Sequence, residues 1–330
     1  MRAVQVMAPG RAEFIDMPVP QLRPGHALIR PQLLSLCGSD IYHLHYRSAS
    51  SYPLPPGTTG HEMVGTVEAV DAAGSGIEVG MSALVLSPTS QAMVEWYLSP
   101  AEYVLPLPAG KPLEEMVQAQ QLGTVLYAAK HLKTSVIGRT VAIIGQGSAG
   151  LYWAWLLRRM GARQVIAIDK EAHRLVLPRE FGATHVINNT NANVKQEVAD
   201  ITKDEMADLV VEAAGELDAV QLTCDLVTKH GEILCFGIPH FQDLKINFSD
   251  FFRRYPCFQC ISGAINDPGQ GVTRHAIELI AQGIIDVKPL ITHRFSFERV
   301  MDAYELHHTR GDNAVKIIVE VGGESRDEGR

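Results

Sequence analysis

The stretch spanning residues 141–169, VAIIGQGSAGLYWAWLLRRMGARQVIAID, constrains the fold of this chain more than any other. An apolar β-type run at 141–144 turns through Gly145, Gly147 and Gly150 in a GxGxxG spacing. A mostly apolar, helix-length segment at 151–160 closes at Gly161, and a second apolar run at 164–168 ends on Asp169. That is strand, glycine turn, helix, strand. The first glycine lets the backbone turn tightly, the second lets it approach a pyrophosphate, and the third lets helix and strand pack closely. The start of the helix, at Ser148, Ala149 and Gly150, points N–H groups and the positive dipole end at the phosphates. Asp169, 19 residues beyond Gly150, stands where a carboxylate accepts the hydroxyls of the adenosine ribose. The same carboxylate repels a 2′-phosphate, so NAD is expected over NADP, with Lys170 and Arg174 close enough to soften the preference. A lone GxGxxG is a common turn. Its position between two apolar runs, with the acid at this distance, favours dinucleotide binding over an ordinary βαβ turn.

A chain of 330 residues is long for a single hydrophobic core, so two domains are expected. Net charge is -8 and no cluster of five or more basic residues occurs, which leaves nucleic acid and anionic membrane without an electrostatic footprint. No apolar run approaches the roughly 18 residues of a membrane span, and the N-terminal residues lack the apolar core of a signal peptide. The five cysteines, Cys37, Cys224, Cys235, Cys257 and Cys260, are an odd and sparse set. They suit a reducing compartment better than a disulfide framework, and the expected location is cytoplasmic.

Along the chain, residues 2–107 read as short strands and turns. ALIRPQLLSL, MVGTVEAV and MSALVLSP are β-rich runs, and PGH, PPGTTGH, AAGSG and LPAGK are turn clusters. Two helical segments with Gly123 between them fit residues 113–132. After Asp169 the reading continues with a helix at 172–181, a strand at 185–188, a helix at 194–201 and a strand at 208–213. A helix at 217–226, a strand at 232–237 and an apolar run at 257–265 follow. Strands alternating with helices predict a doubly wound parallel sheet. The segment beginning PLITHRFSFERVMDAYEL reads as strand then helix, AVKIIVEV as a terminal strand, and the tail GGESRDEGR as frayed.

A second constellation precedes the glycine turn. Cys37-Gly38-Ser39-Asp40 ends one β-like run, and Gly60-His61-Glu62 opens the next. Thiolate, imidazole and carboxylate from two loops are a donor set that Zn²⁺ accepts in a roughly tetrahedral site. From the residues alone, a buried thiol and a surface histidine are an equal alternative.

The order of a CGSD segment, a GHE segment about 24 residues later and a mid-chain GxGxxG unit resembles the zinc-dependent medium-chain dehydrogenases, in particular the polyol and sorbitol dehydrogenase branch. The resemblance runs over nearly the whole chain, down to KPLITHRFSFERVMDAYEL. It implies an α/β architecture: a mainly β, GroES-like catalytic domain at 1–121 and 288–330, and a Rossmann domain with a doubly wound parallel sheet at 122–287. It also implies that Cys37 and His61 ligate a catalytic zinc, that Glu62 is a ligand or near neighbour, and that Asp40 orients His61. Ser39 becomes the hydroxyl that deprotonates the substrate alcohol, and a homo-oligomer, dimer or tetramer, is the family tendency.

Three departures qualify this. Where relatives often carry a four-cysteine lobe, GMSALVLSPTSQAMVEWYLSPAEYV contains no cysteine, so a structural zinc is not expected. The position of a common relay histidine holds Tyr42, with His43 beside it as the candidate. The further ligand position falls at Gln120 or Gln121, and a neutral amide is a poor zinc ligand. The expected function is NAD-linked, zinc-assisted interconversion of a secondary alcohol or polyol and its ketone. The alternatives are a zinc-free, quinone-reductase-like NAD(P)H reductase and a dinucleotide-binding protein that has lost catalysis. Of the remaining features, Cys257 and Cys260 read as core or cofactor-side residues, His307 and His308 as a surface pair, and Trp153 and Trp155 as apolar helix surface.

Overall fold

The structure is a computed structural model and describes residues 1–322. Apart from Gly322, the tail GGESRDEGR lies outside the described residues. In chain order the strands are β1 (Arg2–Ala8), β2 (Arg11–Asp16), β3 (His26–Ser35), β4 (Glu62–Asp71), β5 (Ser82–Leu86), β6 (Tyr97–Pro100), β7 (Val104–Pro106), β8 (Thr140–Ile144), β9 (Gln164–Asp169), β10 (His185–Asn188), β11 (Ala207–Glu212), β12 (Val227–Cys235), β13 (Cys257–Cys260), β14 (Ile291–Ser296) and β15 (Lys316–Glu320). The α-helices are α1 (Gly38–Ile41), α2 (Leu113–Met116), α3 (Ala119–Ala129), α4 (Ser148–Arg159), α5 (Val194–Thr202), α6 (Leu217–Leu226), α7 (Phe248–Arg254), α8 (Gly271–Ala281) and α9 (Val300–Thr309).

These elements form two units. One takes Met1–Gly123 and the described residues from Ile265 onward, and the other is Thr124–Ala264. In the first unit a mainly antiparallel sheet runs β14-β15-β3-β4-β5-β7, with β6 also on β3 and β1-β2 as a separate ribbon. Alternating apolar positions of these strands, among them Ile29, Leu34, Met63, Val67 and Val85, bury one face together with Phe297, Val300 and Ala303 of the C-terminal segment. The segment 265–287, which the sequence rhythm groups with the dinucleotide unit, packs with this first unit. Its helix α8 buries Ala276, Ile277 and Ile280, and Thr273 lies against Gly123.

The second unit holds six parallel strands in the order β10-β9-β8-β11-β12-β13. This is the doubly wound Rossmann order, whose direction reverses between β8 and β11 and leaves a crevice at the strands' carboxyl ends. Every residue of β8 is buried, as a strand covered on both faces requires.

Three local expectations are corrected. The helix expected at 172–181 is a 3₁₀ turn at Ala172–Leu175 followed by turns, because Pro178 lacks an N–H and its ring blocks a continuing helix. The break expected at Gly123 falls instead at Val117 and Gln118, and α3 runs through the glycine. Trp153 and Trp155 are buried rather than on the helix surface. α4 is covered on this side, where Phe236 meets Trp153 edge-on at 5.6 Å.

Candidate active site

The pairing of three strands brings the candidate metal ligands of the first unit together. β3 and β4 are antiparallel, with Ser35 opposite Glu62, so Cys37, two residues past the end of β3, arrives beside His61, one residue before β4. On its other side β3 pairs with β15, with Ser35 opposite Ile318. One thiol sulfur, one imidazole nitrogen and one carboxylate oxygen from Cys37, His61 and Glu62 then lie within 4.8 Å of one another, the one such group among the described residues.

Asp40 fixes this geometry. It is fully buried. Its Oδ2 accepts the Cys37 N–H at 2.8 Å and its Oδ1 accepts the Gly60 N–H at 3.0 Å, so a single carboxylate joins the two ligand-bearing loops. Gly60 has φ +84, and a Cβ there would meet Leu34 Cδ2 at 2.6 Å, so only glycine permits this turn. His61 Nδ1 is 3.8 Å from Asp40 Oδ1, beyond hydrogen-bond range, and is buried without a partner. Burial works against the His61 imidazolium. The sulfur of Cys37, hydrogen-bonded to the ring, and the carboxylates of Asp40 and Glu62 outweigh burial and push its pKa up to about 9. Anionic donors gathered around one imidazole are an environment that favours a cation.

Glu62 is fully buried and divides its oxygens. Oε2 accepts from Lys316 Nζ at 2.6 Å, while Oε1 is buried without a partner. Lys316, the first residue of β15 and 1% exposed, also donates to the Leu36 carbonyl at 3.2 Å. Orphaned Glu62 Oε1, the imidazole of His61 and the Cys37 thiol fit the mixed O, N and S donor set of zinc.

Ser39 is the second residue of α1, and its Oγ is buried without a partner. His43 lies in the π-helical turn Tyr42–Tyr46 that follows. Burial lowers its pKa, partly offset by Asp40 and reinforced by Arg47 and His61, and its Nδ1 is also buried and unpartnered. Of the two candidate glutamines, Gln121 reaches Cys37. Its Nε2 is 3.8 Å from Cys37 Sγ and its Oε1 is orphaned.

Several residues of this cluster carry no sequence signal or one that was read differently. His307, expected on the surface, hydrogen-bonds through Nε2 to the Cys37 carbonyl at 3.0 Å, and His308 stacks on His45 with ring centroids 3.8 Å apart. Tyr304 meets Thr59, next to the Gly60 turn, in a buried 2.5 Å hydroxyl pair. Lys316 was visible as the one charge inside AVKIIV, a run otherwise suited to a buried strand.

In the second unit Gly145 has φ +93, and a Cβ there would strike Ala213 and Ala214. Gly147 caps α4, whose first turn is Ser148, Ala149 and Gly150, and a Cβ on Gly150 would fall 1.8 Å from the Gly145 carbonyl oxygen. Around Gly147 there is space, with Arg174 Nη1 at 3.7 Å from a Cβ built there. An open helix N-terminus beside a guanidinium is suited to a pyrophosphate. Asp169 ends β9 with both oxygens in use. Oδ2 accepts the Gln146 N–H at 2.6 Å and Oδ1 the Glu171 N–H at 2.8 Å. Lys170 next to it is exposed. Cys257 and Cys260 are exposed on β13, the edge strand, so neither belongs to the core.

Two family models match the chain: the alcohol dehydrogenase GroES-like domain over residues 23–108 and the zinc-binding dehydrogenase over residues 149–282. An alcohol dehydrogenase of Cupriavidus necator is 27% identical, with 97% of this chain and 98% of that protein aligned. A sorbitol dehydrogenase of Bacillus subtilis is 26% identical, with 92% of each covered. Among solved structures, a putative zinc-binding dehydrogenase from Sinorhizobium meliloti, bound to NADP, shares the fold with a TM-score of 0.82 at 23% identity, covering 97% of this chain and 99% of that one.

Proposed function

The chain belongs to the zinc-type medium-chain dehydrogenases, and from that premise we propose that this oxidoreductase interconverts a secondary alcohol or polyol and its ketone with NAD and one catalytic zinc. The observation that carries the reading is the convergence of Cys37, His61 and Glu62 within 4.8 Å, with His61 Nδ1 and Glu62 Oε1 buried and unpartnered.

Cys37, His61 and Glu62 would hold the zinc. When bound there, it supplies Lewis acidity that lowers the pKa of the substrate hydroxyl toward neutrality. The remaining chemistry falls to the chain. Ser39 Oγ accepts the substrate's hydroxyl proton and passes it on, and His43, whose pKa burial lowers, is the candidate for carrying it toward solvent. Asp40 keeps both ligand loops in place through its two backbone hydrogen bonds. Gln121 Nε2 faces the Cys37 sulfur, which moderates the thiolate without adding charge.

The glycine turn Gly145, Gly147 and Gly150, with Ser148 and Ala149, would receive the pyrophosphate. Asp169, with Lys170 and Arg174 nearby, would set the choice between NAD and NADP. Among the described residues no helix is long and apolar enough to cross a membrane, and a cytoplasmic location belongs to the same reading. So does a homo-oligomer, dimer or tetramer, which the exposed Phe248 and Phe252 of α7 support. A second reading, dinucleotide binding without turnover, is favoured by the Lys316 contact that occupies half of Glu62.

A screen of secondary alcohols and polyols followed by NADH absorbance, with metal content measured on the same sample, tests the proposal. Turnover that tracks zinc occupancy is expected. A zinc-loaded protein that binds NAD but oxidises none of the panel would overturn it.

A further inference from the structure

We propose that Cys235 and Cys260 are a redox-active thiol pair, which a small-molecule disulfide of the glutathione class oxidises to an intrachain disulfide tying the last two strands of the Rossmann sheet together. The two residues are register partners in adjacent parallel strands, at the carboxyl ends of β12 and β13. The N–H of Ile261 donates to the Cys235 carbonyl at 3.1 Å, which fixes that register. Neighbouring strands lie about 4.8 Å apart, inside the Cα separation of roughly 4.4–6.8 Å that a disulfide spans. Directly paired residues also project to the same face of a sheet, so the two thiols of this register pair stand side by side.

The partners differ in access. β13 is the edge of the sheet and Cys260 is exposed, whereas Cys235 is half-buried against the core of its unit. Burial, with Cys260 and Glu212 alongside, raises the Cys235 thiol pKa. Cys260 is therefore the entry point and Cys235 the resolving thiol. The other cysteines are less suitable. Cys257, three residues earlier on β13, pairs in register with Glu232 and faces the other way. Cys224 sits on α6 beside the Thr223 hydroxyl, 3.9 Å from its sulfur.

The chemistry closes without any further reactant. Cys260, as thiolate, attacks one sulfur of glutathione disulfide; the S–S bond breaks, one glutathione thiolate leaves and takes up the proton Cys260 released, and a mixed disulfide remains. Cys235 then attacks Cys260 Sγ, forming the protein disulfide and expelling the second glutathione, which receives the Cys235 proton. Two protein thiols are oxidised and one glutathione disulfide is reduced to two thiols.

The test treats the full-length protein with glutathione disulfide, blocks remaining thiols with N-ethylmaleimide and maps the linked peptides by mass spectrometry. Free thiols are expected to fall from five to three, with Cys235 joined to Cys260. Cys235→Ser should instead hold glutathione on Cys260 as a stable adduct, and Cys260→Ser should lose no thiol, both with thermal melts like the parent's. A lasting glutathione adduct on Cys260 of the parent, a link through Cys224 or Cys257, a link between two chains, or no reaction would each overturn the proposal.

Discussion

Lys316 Nζ stands 2.6 Å from Glu62 Oε2, and the two side chains are 1% and 0% exposed. The pair joins the first residue of the last strand to the residue after His61. An ammonium and a carboxylate removed from water this completely must satisfy each other, and removing one strands the other. Replacing Lys316 by Met should destabilise the metal-free protein by about 3–5 kcal/mol. Urea unfolding measures it. Saturating zinc should shrink the loss, because a cation at Glu62 Oε1 compensates the abandoned charge, and adding Glu62→Gln should recover part of it. A loss below about 1 kcal/mol would mean that the ion pair is not formed as described.

Zinc retention separates Glu62 from Gln121. Three protein donors with an open fourth position make a catalytic site, and in the proposed function Cys37 with His61 would supply two. Glu62→Gln removes the only carboxylate in the set, so metal content by atomic emission should fall toward zero. Gln121→Ala should keep close to one zinc per chain, since its Nε2 reaches only the sulfur, at 3.8 Å. The opposite pattern would make the glutamine the ligand.

The legibility of this site follows the range of the interactions that build it. Cys37, Ser39, His61 and Glu62 sit in two short motifs, CGSD and GHE, and the glycine turn announces itself because its spacing is dictated by local backbone geometry. The places of Lys316, Tyr304 and His307 are set by partners 254, 245 and 270 residues away, which no local pattern shows. Only the pairing of β15 with β3 and the packing of α9 bring them in. The choice between Gln120 and Gln121 depended on helical phase, which a break at Val117–Gln118 rather than at Gly123 shifted. The helix expected after Asp169 failed on a single Pro178, a residue whose effect outweighs the apolar pattern around it.

The His61 environment gives a pH signature. Its pKa in the folded, metal-free protein is about 9, above the unfolded value near 6.5. Folding therefore gains stability that is fully present below about pH 6.5 and is lost as pH rises through 9, on the order of 3 kcal/mol in all. Zinc requires the neutral ring, so loss of the His61 proton should make its affinity rise with pH up to about 9. Competition with a chelator from pH 6 to 10 reads the slope. His61→Asn should abolish the pH-dependent stability term, and a flat profile in the parent would refute it.

In the proposed function, cofactor choice turns on Asp169. Its carboxylate anchors the Gln146 and Glu171 N–H groups and places negative charge at the end of β9. Asp169→Ser should lower the kcat/KM ratio of NAD to NADP by about tenfold or more, through relief of like-charge repulsion. The same change leaves buried N–H donors unpaired, at a cost of about 1–3 kcal/mol in stability. Arg174→Ala, beside Gly147, should weaken both cofactors alike. Parent enzyme that uses NADP as efficiently as NAD would contradict the assignment.

Ser39 offers the sharpest test of the proton path. Its Oγ is buried without a partner in the first turn after Cys37, a costly arrangement for a hydroxyl that serves only the fold. A serine there for turn capping would spend its oxygen on a nearby backbone N–H, and in this turn the Cys37 N–H goes to Asp40 instead. Ser39→Ala should therefore leave unfolding, zinc content and NAD affinity within error of the parent while kcat falls by about 10²–10⁴-fold. Ser39→Thr, which keeps the hydroxyl, should restore a large part of the rate. His43→Gln should have a smaller effect, concentrated at low pH and relieved by small amine buffers that carry the proton in its place. Full turnover in Ser39→Ala, with metal and cofactor bound, would leave the hydroxyl without a part in the chemistry.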